Sequence, residues 1–171
     1  MGLTIKIIKN VLNESTHKNI LENVQGGNIA WYKGKVQDEN PTDMHFTHML
    51  YAKHNVSSPL FDLFEPLYKK LNIIVFSRVK LNCSLQKNEN RILGGFHVDV
   101  GESNKKPHRG VTNAIYYIND TNGKTLIKEN GKIKEIKCEA NSIVIFPNTL
   151  LHTGTTHTDV EFRYILNLNY V

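Results

Sequence analysis

The chain has 171 residues, of which 40% are hydrophobic and 22% are charged. This is typical of one globular domain and leaves too little for two ordinary ones. No apolar run approaches the roughly 18 to 20 residues of a membrane span. Lysines interrupt the N-terminal stretch MGLTIKIIKN, which argues against a signal peptide. We therefore expect a cytoplasmic protein, and Cys83 and Cys138 form neither a zinc motif nor a disulfide framework.

The net charge of +5 hints at an anionic partner such as nucleic acid. However, the basic residues are scattered, and heavy use of Lys, Asn and Ile indicates a coding bias instead of a selected basic groove. Nucleic-acid binding is therefore the weaker hypothesis. Arginine is scarce, so each arginine is worth considering for a specific role. The four are Arg78, Arg91, Arg109 and Arg163.

Two helices are predicted before residue 72. Residues 14–24 have apolar side chains at helical spacing, with Asn13 as a possible N-cap. Residues 59–71 carry a broader apolar stripe, and Pro66 should kink or split that helix. The stretch between the helices is rich in loops, with a possible short strand in MHFTHMLY.

Strand patterns dominate after residue 72, separated by turn signals such as NDTNGK and ENGK. Eight strands in about 100 residues predict an antiparallel jelly roll. Because SIVIF is apolar on both faces, we expect a second layer over one sheet, provided by the helices. The predicted strands are 73–82, 96–100, 111–118, 125–128, 132–137, 142–146, 150–153 and 161–170.

The segment His97-Val98-Asp99 has chemical content. On a strand, residues i and i+2 point to the same face, so one imidazole and one carboxylate would lie side by side. A third ligand, His152, would complete a facial triad of the kind that non-haem Fe(II) oxygenases use. This pattern alone is weak, and His157-Thr158-Asp159 is a second copy of it in a turn. No histidine follows that copy, which favours the first.

Arg163 follows His152 by eleven residues in an apolar strand. A planar guanidinium is suited to holding a carboxylate through two hydrogen bonds. A bound oxo-acid could therefore chelate the metal at one end and reach Arg163 with its far carboxylate. A second metal pair, His45 and His48, is disfavoured because residues i and i+3 of a strand point to opposite faces.

Seven segments of the sequence, in the order in which they occur, resemble the 2-oxoglutarate- and Fe(II)-dependent dioxygenases, closest to the prolyl 4-hydroxylase-like branch. The resemblance covers about residues 75–171. It implies a double-stranded β-helix with N-terminal helices, organised as one domain over 1–171 with supporting helices and rim in 1–72 and the core in 73–171. The matching segments are RVKLN, FHVDV, RGVTNAIYYIND, NGKTLI, ANSIVIFP, LLHTGT and FRYILNLNY.

The resemblance implies that His97, Asp99 and His152 bind Fe(II), with 2-oxoglutarate as cosubstrate and O₂ as oxidant. Arg163 would bind the distal carboxylate of 2-oxoglutarate. The residues implied to assist it are Tyr117, Asn82 and Thr125. Lys124 intervenes where relatives often have a second glycine before Thr125, so the match is imperfect there.

The resemblance implies hydroxylation of an unactivated C–H bond, with succinate and CO₂ as coproducts. A protein or peptide side chain is favoured as substrate, with proline first and a small molecule or a nucleobase as alternatives. Arg109, in the loop after the metal strand, is a candidate substrate contact. Two other functions stay open: a cupin-type metal enzyme acting without 2-oxoglutarate, and a non-catalytic jelly-roll binding module.

Overall fold

Residues 4–34 and 45–171 are described by a computed structural model. In these ranges, antiparallel strands make up most of the regular structure. The strands are β1 (Lys6–Ile8), β2 (Tyr32–Gly34), β3 (His45–Ala52), β4 (Asn55–Val56), β5 (Phe76–Leu85), β6 (Ile92–His97), β7 (Gly101–Ser103), β8 (Lys106–Pro107), β9 (Thr112–Tyr117), β10 (Thr121–Glu129), β11 (Lys132–Cys138), β12 (Ser142–Pro147), β13 (His152–Thr155) and β14 (Phe162–Tyr170).

Both predicted helices form. Helix α1 (Glu14–Gln25) begins after Asn13, whose side chain accepts a hydrogen bond from the backbone N–H of Thr16 at 2.8 Å. The second segment is split as Pro66 predicts: a 3₁₀ helix (Pro59–Phe64) leads into α2 (Glu65–Lys70). Within the described ranges, neither helix is long and apolar enough to cross a membrane.

Two antiparallel sheets face each other. The larger follows the order β1-β12-β9-β14-β5-β3-β2, with β4 paired to β3, and the smaller follows β11-β10-β13-β6. Strands β7 and β8 form a separate hairpin. All pairings are antiparallel, and the eight strands predicted after residue 72 are all present. The jelly-roll prediction, a double-stranded β-helix with N-terminal helices, is confirmed.

The two faces of the larger sheet bury different cores. In β12, Ile143 and Ile145 pack with the helices, whereas Val144 and Phe146 pack between the sheets. The predicted second layer over SIVIF is therefore confirmed. Strand β9 alternates in the same way, since Tyr116 packs in the core on the helix side and Tyr117 packs in the core between the sheets.

The chain before residue 72 supplies strands as well as helices. Strand β1 pairs with β12 at one edge of the large sheet, and β3 pairs with β5 towards the other. Because these strands are short or irregular, hydrophobic alternation did not reveal them clearly. Several strand boundaries also differ from the prediction, including those of β5 and β13. Strand β6 ends at His97, and β10 starts four residues before 125, with a register shift between Thr121 and Lys124.

The buried Asn141 clasps the segment between β1 and α1. It has a positive φ of 55°. Its side chain accepts a hydrogen bond from the N–H of Leu12 at 3.1 Å and donates one to the carbonyl of Leu12 at 2.8 Å. Its backbone carbonyl accepts from the N–H of Val11 at 3.0 Å. One asparagine thus joins the N-terminal segment to the start of β12.

We predict that Asn141→Ala lowers the free energy of unfolding by at least about 2 kcal/mol more than Asn130→Ala does, because it leaves a buried N–H and carbonyl unpaired. Asn130 is a matched control: it has a similar φ of 51° but lies exposed in the β10–β11 turn. Urea unfolding of both variants measures the difference. Equal losses would show that backbone conformation, and not the hydrogen bonds to Leu12, accounts for the loss in free energy of unfolding.

Candidate active site

His97 and His152 are brought together by strand pairing. His97 ends β6 and His152 begins β13, and the two are directly paired across the antiparallel ladder. Their ring centroids lie 4.7 Å apart. The Nδ1 of His97 lies 3.1 Å from the carbonyl oxygen of Gly95. Since a carbonyl only accepts, Nδ1 carries the proton, and the lone pair of the neutral ring is on Nε2.

Asp99 is positioned by partners in the opposite sheet. The prediction placed it on a strand, but β6 ends two residues earlier and Asp99 lies in a bend. Arg78 of β5 donates from Nη2 to its Oδ1 at 2.6 Å. Asn169 of β14 donates from Nδ2 to its Oδ2 at 3.2 Å and to Asn113 at 2.7 Å. Side-chain contacts, and not strand alternation, therefore orient this carboxylate.

The charges of the cluster suit a metal ion. Burial lowers the pKa of His152 to about 4, although the nearby Asp99 carboxylate raises it. Burial would raise the pKa of Asp99, but His152, Arg78 and the hydrogen bond from Asn169 together hold it well below its usual range. At neutral pH the cluster thus has a neutral imidazole on His152 and an ionised carboxylate on Asp99, which are the forms that bind metals.

The three side chains form a candidate metal site. One potential ligand atom from each of His97, Asp99 and His152 lies within 4.8 Å of the others. The distance between His152 Nε2 and Asp99 Oδ2 is 3.6 Å. Two imidazoles and one carboxylate on one side of an ion leave its other side open, which is the donor set of non-haem Fe(II) centres. The residues therefore fit a ferrous ion.

A cavity of about 370 Å³ lies between the sheets and is lined by all three members of this cluster. Arg163 also lines it and is 4% exposed. Its Nη1 donates to the carbonyl of Thr155 at 3.1 Å, and its buried Nε has no partner in the described residues. Arg163 pairs with Ser84 and lies six residues along β14 from Asn169, which contacts Asp99. The guanidinium and the cluster are therefore at separated positions in the cavity.

Thr125 and Tyr117 lie beside this wall. Thr125 lines the cavity and is buried. Tyr117 is fully buried, faces the core between the sheets and donates from its hydroxyl to Thr125 Oγ1 at 2.8 Å. Burial raises the pKa of Tyr117 well above its usual range, so it stays a neutral donor. Tyr117 thus reaches the cavity through Thr125.

Asn82 and Asn167 line the same cavity on β5 and β14. The Oδ1 of each is buried without a hydrogen-bond partner in the part of the chain described. Buried polar atoms in folded proteins are nearly always paired, so these two oxygens are available as acceptors to a molecule that enters the cavity.

Other predicted residues lie elsewhere. Arg109 is exposed in a turn and does not line the cavity. His45 lines the cavity, whereas His48 contacts Ala30 and Ser58 on the opposite face, which confirms that these two histidines diverge. The second His-x-Asp copy does not join the cluster: the carboxylate of Asp159 accepts from the N–H of Asn122 instead.

Arg78 and Lys80 are among the cavity residues that the sequence analysis missed. They alternate along β5 with buried apolar residues, as the exposed face of a strand often does. The rarity of arginine was the one available signal for Arg78, because it made each arginine worth a specific role.

We predict that the protein binds one Co²⁺ per chain, seen by its visible absorption. His152→Ala and Asp99→Ala should weaken that binding by about a hundredfold or more, since each removes a ligand. His108→Ala is the control, because His108 is exposed and lies outside the cavity. Unchanged affinity in both ligand variants would place the metal elsewhere.

No protein-family model matches the sequence, and no curated protein matches it. Solved structures match its fold. A prolyl hydroxylase of Trichoplax adhaerens, in complex with a peptide fragment of the hypoxia inducible factor oxygen degradation domain, has a TM-score of 0.68 at 15% identity, covering 97% of this chain and 82% of its own.

Two further structures agree. The viral collagen prolyl hydroxylase of Paramecium Bursaria Chlorella virus-1, in its 2-oxoglutarate complex, has a TM-score of 0.63 at 13% identity, covering 99% of this chain and 98% of its own. An oxidoreductase of the 2-oxoglutarate–Fe(II) oxygenase family from Burkholderia pseudomallei has a TM-score of 0.70 at 9% identity, covering 97% and 84%. The chain therefore has the double-stranded β-helix fold of the 2-oxoglutarate–Fe(II) oxygenases.

Proposed function

We propose that the protein is a 2-oxoglutarate-dependent Fe(II) dioxygenase that hydroxylates an unactivated C–H bond and releases succinate and CO₂. One observation carries this proposal: the cluster of His97, Asp99 and His152 shares a cavity with the buried guanidinium of Arg163. The shared fold supports it.

The metal ligands are assigned to His97, Asp99 and His152. A ferrous ion held there supplies the redox chemistry with O₂, while the protein provides geometry and a shielded cavity. His97 and His152 act as neutral donors, and Asp99 adds the negative charge. The hydrogen bond from Arg78 to Asp99 Oδ1 leaves Oδ2 as the oxygen nearer to His152. Arg78 thereby favours binding through one carboxylate oxygen.

The cosubstrate site is assigned to the wall that bears Arg163. A guanidinium binds a carboxylate best through two N–H groups in its plane. In Arg163, Nε has no hydrogen-bond partner among the described residues, whereas Nη1 donates to the carbonyl of Thr155. The guanidinium is therefore held in place and still has an N–H available for a ligand. The hydroxyl of Thr125, supported by Tyr117, and the amide of Asn82 add polar contacts.

A protein or peptide side chain, with proline first, is our first candidate for the substrate. Its support is that two of the structures with this fold are prolyl hydroxylases, one solved with a peptide. A cupin-type enzyme without 2-oxoglutarate is the second candidate function. The buried Arg163 favours the 2-oxoglutarate-dependent dioxygenase over the cupin-type enzyme, because a metal enzyme that binds its substrate directly needs no carboxylate anchor there.

We predict that anaerobic addition of Fe(II) and 2-oxoglutarate produces a visible metal-to-ligand charge-transfer band. His152→Ala should abolish the band. Arg163→Ala should raise the Kd for 2-oxoglutarate by about tenfold or more with little change in the Kd for Fe(II), because it removes a charged carboxylate partner and no metal ligand. The exposed variant His108→Ala should keep both affinities.

Absence of the band in metal-loaded protein would contradict the proposed function. If Arg163→Ala weakened Fe(II) and 2-oxoglutarate equally, Arg163 would be a structural residue. Turnover is tested by succinate release, with peptides, nucleotides and metabolites screened for stimulation.

We predict that Tyr117→Phe raises the Kd for 2-oxoglutarate by about threefold to tenfold, because it removes the hydrogen bond that orients the hydroxyl of Thr125. Tyr116→Phe is the matched control on the same strand. Its hydroxyl lies 2.6 Å from His17 Nδ1 on the helix side, so this change should affect unfolding and leave 2-oxoglutarate binding intact. Equal 2-oxoglutarate affinities in both variants would remove Tyr117 from the cosubstrate site.

A further inference from the structure

We infer that Lys80 receives an anionic group of the molecule that is oxidised, so that the primary substrate is an acid bearing a carboxylate or phosphate near the reacting carbon. This inference rests on the proposed function and narrows the substrate class of the same site. A peptide substrate would have to place a carboxylate or phosphate near its reacting side chain, which an internal proline alone does not do. It is carried by the position of Lys80, by its lack of an ionic partner within residues 4–34 and 45–171, and by the charge of the site with Fe(II) and 2-oxoglutarate bound.

Lys80 lies in the middle of β5, in the centre of the large sheet. It pairs with Asn167 on one side and Met49 on the other, and its side chain lines the cavity. Arg78 lies two residues before it on the same face and contacts the metal-ligand Asp99. Lys80 is therefore next to the metal end of the cavity, where a substrate must approach to react.

No carboxylate in the described residues forms an ion pair with Lys80. Asp99, whose charge acts on Lys80, already accepts a hydrogen bond from Arg78 at 2.6 Å. Burial lowers the pKa of Lys80, and the like charge of Arg78 lowers it further, while Asp99 raises it. A partly desolvated ammonium beside another cation is destabilised unless an anion comes close to it. A ligand-binding role therefore explains Lys80 better than a purely structural role does.

The amide of Asn167 adds a second polar contact at the same place. It is 8% exposed, its Oδ1 is buried without a partner among the described residues, and it lies directly across the ladder from Lys80. Because an amide can exchange its oxygen and nitrogen by a half turn, it can direct an N–H towards an anion held by the lysine. An ammonium and an amide N–H together bind one carboxylate or phosphate oxygen pair.

When Fe(II) and 2-oxoglutarate are bound, the positive charge of Lys80 is not balanced by a negative charge. Arg78 balances Asp99 within hydrogen-bond distance. The ferrous ion and Arg163 then exceed the two carboxylates of 2-oxoglutarate by one positive charge, and Lys80 raises the excess to two. The cosubstrate therefore does not use up the positive charge of this cavity. In a site of low dielectric, this surplus favours an anionic second ligand over a neutral one.

Anion binding is tested on protein loaded with redox-silent Zn²⁺ and saturated with 2-oxoglutarate, by ¹H–¹⁵N NMR titration. The probes are acetate, inorganic phosphate and neutral acetamide. We expect saturable binding of acetate or phosphate, with the largest shifts on β5 and β14, and none of acetamide. Whichever anion binds more tightly identifies a carboxylate or a phosphate as the group recognised.

Lys80→Met should weaken that binding by at least about tenfold, because it keeps the length of the side chain and removes the charge. Lys80→Arg should retain it. Lys134→Met is the matched control, since Lys134 is an exposed lysine on β11 that does not line the cavity. Lys80→Gln provides a second neutral variant if Lys80→Met does not fold.

The 2-oxoglutarate charge-transfer band separates this inference from the proposed function. If Lys80 serves the substrate, Lys80→Met binds 2-oxoglutarate within about threefold of wild type. A tenfold loss of 2-oxoglutarate affinity would assign Lys80 to the cosubstrate and overturn the inference, as would wild-type anion binding in Lys80→Met or equal binding of acetamide. If no band forms in any protein, the proposed function fails, while the anion titration of the metal-loaded protein still decides whether Lys80 binds an acid.

Discussion

The ion pair between Arg78 and Asp99 joins the two sheets at the candidate metal centre. Asp99 follows the end of β6 in the small sheet, whereas Arg78 comes from the middle of the large one. Without this contact nothing in the local backbone of the bend would aim the carboxylate at the two histidines. A buried ion pair adds little stability on average, because desolvation offsets attraction. Its value here is geometric, since it fixes one ligand and one ligand oxygen.

The histidines are held by a different principle. They are direct partners in the ladder between β6 and β13, so the register of the small sheet sets their separation. The centre is thus assembled from one sheet that places two imidazoles and another that directs the carboxylate. A change in the packing of the sheets would affect the ligands unequally: Asp99 would move before the histidines did.

Much of the fold followed from local patterns. The alternation of β9, the two apolar faces of SIVIF and the cap at Asn13 each depend on a short stretch of sequence, and each is found in the structure. The convergence of His97, Asp99 and His152 could also be predicted, because two of them are two residues apart and the third follows a recognisable strand. The geometry of the cluster could not, because the strand ends before Asp99.

Arg78 and Lys80 were missed for the same physical reason. Arg78 and Lys80 alternate with buried Val79 and Leu81, which is how a strand with one solvated face looks. Only the facing sheet turns that polar face into the wall of a cavity, and a strand does not encode what will lie opposite it. Arg109 is the converse case. It follows the metal strand closely in sequence, yet the β7–β8 hairpin and its turn leave it in solvent.

The position of β14 has a consequence for how the protein reaches its folded state. It is the last strand in sequence, yet it lies between β9 and β5 in the large sheet and carries both Arg163 and Asn169. Before it inserts, β9 and β5 expose unpaired edges, and β5 presents its cations with no sheet neighbour on that side. Assembly of the centre is therefore a late, non-local event of the kind that slows folding. A chain that still lacks β14 would have both histidines and the aspartate, but neither Arg163 nor the contact from Asn169 to Asp99.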